Sequence, residues 1–147
     1  MLADYLAAEE LIIARLTERV GSVRAVLSAA DLAGVQEAKQ TTPALHVVYD
    51  GDRLGDSAGR GIANQVYQRW LVITAVRSAR GQRTGAGARE AAGPIISAVL
   101  QALLGWAPSD EHQPLVRTSA PRPHFSAGGF AYFPLAFETR IDTGGLP

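Results

Sequence analysis

Three histidines, a short run of aspartates and a cluster of arginines are the residues whose types could do chemistry in this chain. His46 falls inside an apolar stretch, whereas His112 and His124 flank proline-bearing segments. None pairs with another histidine at a metal-ligand spacing, and an imidazole without a partner reads as structural or surface-borne. Asp50, Asp52 and Asp56 make a sparse carboxylate set around Gly51. A calcium loop needs further ligands at alternate positions and a closing glutamate, so a solvated turn is expected instead. Gly81, Gly85 and Gly87 lack the lysine and hydroxyl residue of a phosphate-binding loop, and their Gly-x-Gly-x-x-Gly spacing fails at the third glycine. No serine nucleophile elbow is expected.

Arg77, Arg80, Arg83 and Arg89 crowd one glycine-bearing segment. Such a run suits contact with a phosphate backbone or an acidic protein face or, more plainly, a solvated loop. No catalytic constellation follows, and neither a metal nor a cofactor is expected. The rival reading is a small enzyme or ligand-binding domain. It would have to bring His46, Asp50 and Asp52 together in a pocket with perturbed titrating groups.

What positions these residues is read from apolar periodicity. Leu2 to Val20 predicts an amphipathic helix, with Leu2, Leu6, Ile13, Leu16 and Val20 at helical spacing and Tyr5 and Ile12 widening the stripe. Gly21 suits the positive-φ position after a helix. Val23 to Ser28 predicts a short strand. Ala44 to Tyr49 predicts a clearer one, ended by Asp50–Gly51–Asp52, with a Gly/Asp/Ser-rich loop running to about Ile62. Gln65 to Val76 is the longest strand, and from Trp70 onward both its faces are apolar, which predicts cover on both sides. Arg77 to Arg89 is expected to be loop.

A second helix carries Ala88, Ala91, Ala92, Ile95, Ile96, Val99, Leu100, Leu103 and Leu104. Pro94 is either its first residue or a kink within it. Gly105 caps it, with Trp106 expected to fold back on Leu100 in a Schellman ending. Leu115 to Ser119, followed by Pro121 and Pro123, is held to a sheet edge or an extended arm. Phe130 to Ile141 alternates, with Ala131, Phe133, Leu135, Phe137 and Ile141 inward. Pro134 falls on the outward set, so an unpaired edge or a bulge is expected there.

The order α-β-β-β-α-β-β predicts an α+β fold, a mainly antiparallel sheet of four or five strands with two helices on one face. A length of 147 residues fits one domain over 1–147 and buries roughly two-thirds of the chain's surface without staples. With 47% hydrophobic and 19% charged residues a disordered chain is excluded. Fourteen basic residues balance fourteen acidic ones, which argues against a dedicated nucleic-acid binder relying on cationic excess. Without cysteine, disulfides, thiolate metal sites and cysteine nucleophiles fall away. Asp4, Glu9 and Glu10 stand where an export signal needs a basic flank and an apolar core. No apolar run nears the roughly 20 residues that cross a bilayer, so a soluble, cytosolic product without membrane contact is expected.

A strand apolar on both faces, two proline-bearing strands at sheet edges and two glycine-rich loops point to association. Exposed edges are where a neighbour's strand or loop docks. The residues also carry a resemblance. Phe130-Ala-Tyr-Phe-Pro-Leu-Ala-Phe-Glu-Thr-Arg140, approached through Gly128–Gly129, resembles the closing strand of the tail terminator proteins of Mu-like tailed bacteriophages. Ala98-Val-Leu-Gln-Ala-Leu-Leu-Gly-Trp-Ala-Pro108 resembles that family's second helix. The Ile12-Ile-Ala-Arg-Leu16 run and the Pro43-Ala-Leu-His-Val-Val-Tyr49 segment follow its order and spacing.

The resemblance implies an α+β subunit like that of tail tube-related proteins, without catalytic residues. It implies a homohexameric ring on the head-proximal end of the tail tube that ends tube polymerisation and offers its other face to the head–tail connector or stopper protein. DNA would pass through the ring without sequence-specific binding. The implied place is the tail and neck of the virion, after synthesis in the host cytoplasm; another neck or connector component is the alternative in the same setting. Partner contacts are expected on the two loops. Asp50, Asp52, Arg53, Asp56 and Arg60 mark the first (50–61), and Arg77, Arg80, Arg83 and Arg89 the second (77–89). One loop would order toward the tube or connector and the other toward a neighbouring subunit, because an adapting loop needs glycine's backbone freedom.

Overall fold

Apolar residues three and four apart bury one stripe of the first helix, α1 (Ala8–Arg19), in a computed structural model that describes residues 2–32, 35–77 and 86–146. Ala8, Ile12 and Leu16 are buried, Val20 continues the stripe, and Ile13 packs beside it. The helix starts later than the spacing predicts. Asp4 accepts the Leu6 N–H at 2.9 Å in a preceding turn, and Tyr5 and Leu6 are exposed. Gly21 does not adopt a positive φ; instead the Val20 N–H bonds the Leu16 carbonyl.

Among the described residues six strands form one sheet: β1 (Ala25–Ser28), β2 (Ala44–Ala58), β3 (Ala63–Arg77), β4 (Val116–Thr118), β5 (His124–Phe125) and β6 (Phe130–Gly144). The spatial order is β1-β2-β3-β6-β4, and β5 also pairs with β6. The β1–β2 pair is parallel and the other pairs are antiparallel. A one-turn helix, α2 (Ala29–Leu32), follows β1, and a long helix, α3 (Ala86–Leu103), follows β3. The α+β expectation holds, with one strand more than anticipated, since His124–Phe125 pairs inside the proline-bearing segment.

Both long helices cover the same face. Ile12 and Leu16 of α1 and Ile95, Val99 and Leu103 of α3 share a core with Leu45, Val47, Trp70, Val72, Leu135 and Phe137. The opposite face is also covered near its centre, as the two-sided apolar pattern of β3 requires, with Leu71, Ala75 and Ala136 buried. The β1–β2 connection is tied to this face by hydrogen bonds between Gln40, Glu37 and the Tyr132 hydroxyl at 2.8 and 2.7 Å.

Every residue of β3 from Ala63 to Arg77 has a partner in β6. On its other side β6 pairs with β5 at Ala131 and Tyr132 and with β4 from Ala136 to Glu138. Pro134 falls in the gap between them, where its missing N–H deprives no neighbour of a bond. The expected unpaired edge is therefore found, and no bulge occurs in that ladder.

Three expectations are corrected. Residues 50–61 are not a loop: β2 runs on to Ala58 and turns back through Gly59–Gly61 into β3. Arg89 is helical rather than part of a loop, in a helix that starts early enough to put Pro94 within it, the second of the two places open to that residue. Gly105 takes φ +75 after the helix, yet its N–H bonds the Leu115 carbonyl at 3.0 Å, and the Trp106 carbonyl accepts the Leu115 N–H at 2.9 Å. The helix end is thus fastened to the segment entering β4, in place of a Schellman ending.

Candidate functional site

Beyond the helices the sheet continues as an arm built from residues 52–58 of β2, 63–67 of β3 and 140–144 of β6. Two slips in the β2–β3 register shape it. The first puts Asp50 and Gly51 opposite Arg69 and uses the φ of +86 at Gly51, which only glycine adopts readily. The second places Gly55 and Asp56 opposite Gln65. A Cβ at Gly55 would stand 2.8 Å from Tyr67 Cε2 and 3.2 Å from Gln65 Cβ, so this position requires glycine.

The first bulge sends Asp50 and Asp52 to opposite faces. On the face away from the helices, Arg69 Nε donates to Asp50 at 2.7 Å, and its guanidinium also reaches Thr118 at 3.0 Å and the Ser119 carbonyl at 2.7 Å. Arg53 lies on the same face, 3.1 Å from the Glu138 carboxylate and with its guanidinium 3.9 Å from the centre of the Tyr67 ring. On the helix face Asp52 accepts hydrogen bonds from the hydroxyls of Tyr5 and Tyr49. Burial, with the Asp52 bond, raises the Tyr5 hydroxyl well above the usual phenol range. Asp56 sits at the second bulge, and Arg60 at the exposed tip in the left-handed region (φ +60) between Gly59 and Gly61. Asp50, Asp52, Arg53, Asp56 and Arg60 therefore share a region but not one surface.

Of the second set, Arg77 ends β3 with its guanidinium 5.0 Å from the Phe130 ring centre, and Arg89 lies in the first turns of α3. Arg80 and Arg83 lie outside the described residues.

The structure does not gather His46, Asp50 and Asp52 into one pocket. His46 is 5% exposed with its Nε2 unbonded, and it borders a cavity of about 220 Å³ with Val35, Glu37, Gln40 and Tyr132 rather than Asp52. Burial lowers its pKa, since the charged ring is the form that desolvation disfavours. Glu37 accepts from Tyr132 at 2.7 Å and Ser126 at 2.8 Å, which hold its carboxyl below the usual range. Burial and that bond push the Tyr132 hydroxyl up to about 12. This polar cluster was not legible from spacing, because Glu37 and Tyr132 stand 95 residues apart. It fastens the β1–β2 connection to the β5–β6 hairpin.

Gly55-Asp-Ser57-Ala-Gly59 has the Gly-x-Ser-x-Gly spacing, contrary to the expectation of no such element, but Ser57 pairs with Asn64 in a β-hairpin rather than occupying a strand-to-helix turn. Ser109 Oγ lies 2.6 Å from His112 Nδ1 and also accepts the Glu111 N–H, forming a local turn with the histidine buried. Among the described residues no group of three His, Cys, Asp or Glu side chains could hold a metal, and no helix is long and apolar enough to cross a membrane.

The arrangement suits docking. The outer edge of β2 has no strand partner beyond Val47 among the described residues, since β1 covers only Ala44 to Val47. Leu54 on that edge is 72% exposed. Across the sheet a groove of about 370 Å³ lies beside β4, lined by Tyr67, Gln113, Pro114, Val116, Glu138 and Arg140. Arg140 Nε is buried without a hydrogen-bond partner, the Asp142 carboxylate standing 3.9 Å away.

The family model for the phage tail terminator protein matches residues 1–145. No curated protein matches the chain. Among solved structures, a chain from a virion of a native gene transfer agent particle is similar in fold, with 15% identity and a TM-score of 0.52 over 95% of this chain and 87% of that one.

Proposed function

The chain belongs to the phage tail terminator family, and from that membership we propose that six copies close into a ring that caps the head-proximal end of the tail tube. It is a structural protein of the virion tail. The ring ends tube polymerisation and gives the head–tail connector a surface to bind. A tube ring recruits the next through a repeating heterologous face, and growth stops when a ring binds that face without re-creating it. The cap therefore needs one surface that fits the tube and another that refuses tube protein.

The observation that carries this reading is the arm. A subunit acting alone gains little from holding out three strands with an unpaired edge and Leu54 exposed, whereas a subunit in a ring has neighbours to receive them. The arm is preformed, so the residues assigned to contact, Asp50, Asp52, Arg53, Asp56 and Arg60, act from a rigid hairpin rather than from a loop that orders on docking. With the arm directed at a neighbouring subunit, Arg77, Arg80, Arg83 and Arg89 are then the set left to meet the tube or connector. Equal numbers of acidic and basic residues suit a bore through which DNA slides without being held by counterion release.

The test is genetic. With synthesis of this chain blocked during infection, electron micrographs should show overlong tails of uneven length. Tails of normal, uniform length would refute termination.

A further inference from the structure

Within the ring proposed above, on which this inference rests, we infer that the free edge of β2 in the arm docks onto the neighbouring copy in the groove beside β4. Leu54 enters between Tyr67, Pro114 and Val116. A ring with head-to-tail contacts needs two different complementary surfaces on opposite sides of the subunit. The sheet order places the arm edge of β2 and the short strand β4 at opposite lateral edges. Each carries an exposed apolar residue, Leu54 at 72% and Val116 at 56%.

Charge and hydrogen bonding match across the same two surfaces. The β2 edge carries Asp52 and Asp56. The β4 edge carries Arg117 and Arg122, both exposed and without an ion pair among the described residues, and Arg140 with its unbonded Nε. Arg53 and Glu138, which would oppose the match, neutralise each other within the subunit. The outward backbone carbonyls of residues 52–58 lack strand partners and can accept from the exposed part of the Arg140 guanidinium, whose side chain is 34% exposed. Val116 and Pro114 give the apolar floor for Leu54, and burying an exposed leucine side chain contributes to the contact without needing a long strand there.

The absence of cysteine makes the test direct. The full chain is prepared as Leu54→Cys, as Val116→Cys and as the double variant, and treated with a short bis-maleimide, both in solution and on assembled tails. The double variant should give a ladder of covalent species ending at six copies, and neither single variant should give one. Leu54→Asp should raise the concentration needed for half-assembly at least about tenfold. Dimers from Leu54→Cys alone would mean that two arms meet each other, and would overturn the proposal. So would a ring of six by light scattering with no ladder, which would leave the hexamer reading standing. Linkage of the Leu54→Cys chain to tube protein instead of to its own copies would assign the arm to the tube and overturn the proposal as well. A chain that stays monomeric in solution and on tails would defeat the ring reading itself.

Discussion

The two ends of one sheet contrast sharply. At the body end, residues 44–49, 70–76 and 131–137 lie under α1 and α3, and Trp70, Val72, Ala136 and Phe137 are fully buried. At the arm end the same three strands continue in antiparallel register; Val66 and Ile141 stay buried where the arm leaves the body, but Leu54 and Ile62 stand exposed, and the Arg53 guanidinium pairs with Glu138 and lies over the Tyr67 ring. Pairing alone therefore does not tell where stability resides. The body is held by apolar burial, and the arm outward of Val66 and Ile141 is held by its hydrogen-bond ladder and by being continuous with the body.

The largest expected effect tests the body. Phe137→Ala should cost about 3–5 kcal/mol of folding stability, read from urea unfolding, because the ring fills the core under both helices. A loss below about 1 kcal/mol would mean that the core relaxes around the cavity and that the contrast is overstated. Next comes the arm. Gly55→Val should cost about 1–3 kcal/mol through the collision with Tyr67 and Gln65, with faster amide exchange confined to residues 52–67. Equal loss of protection in the body strands would show that the two ends unfold as one.

The smallest effect is one of pH and belongs to the body alone, since no histidine lies on the arm. Burial lowers the pKa of both His46 and His112 below 6.5 in the folded chain. The unfolded chain thus binds protons first as pH falls, so stability present at neutral pH is lost from about 6.5 downward through the lowered folded values. The urea midpoint should drop between about pH 7.5 and 5.5, and the double variant His46→Asn, His112→Asn should flatten that slope. An unchanged slope in the double variant would place the titrating groups elsewhere.

The body was legible in the sequence because burial leaves a periodic trace. The strand at Gln65 to Val76 and the alternation after Phe130 follow directly from it. The arm was not, for a physical reason: glycine and aspartate signal a turn, and the same φ > 0 freedom at Gly51 that ends a strand elsewhere here makes a bulge that lets it continue. Solvent-exposed strand residues also need no apolar pattern, so residues 52–58 offered none. The paired candidates Asp50 and Asp52 were separated for the same reason, since two-residue spacing keeps side chains on one face only while the register is unbroken. Pro94 shows the limit of local rules, as packing of Ile95, Val99 and Leu103 carries α3 through a residue that would end an isolated helix. The hydrogen-bonded cluster of Glu37 and Tyr132 depends on contacts across the whole chain and leaves no local mark.

The uninterrupted ladder between β3 and β6 has a mechanical consequence. Both strands run without a break from under the helices to the outer end of the sheet. A pull or push there travels straight into the body along covalent backbone, with no hinge to absorb it. A ladder of this kind stiffens the subunit, which is what the proposed joint needs if it must keep its shape while a heavy particle swings on one side of it and a long filament on the other.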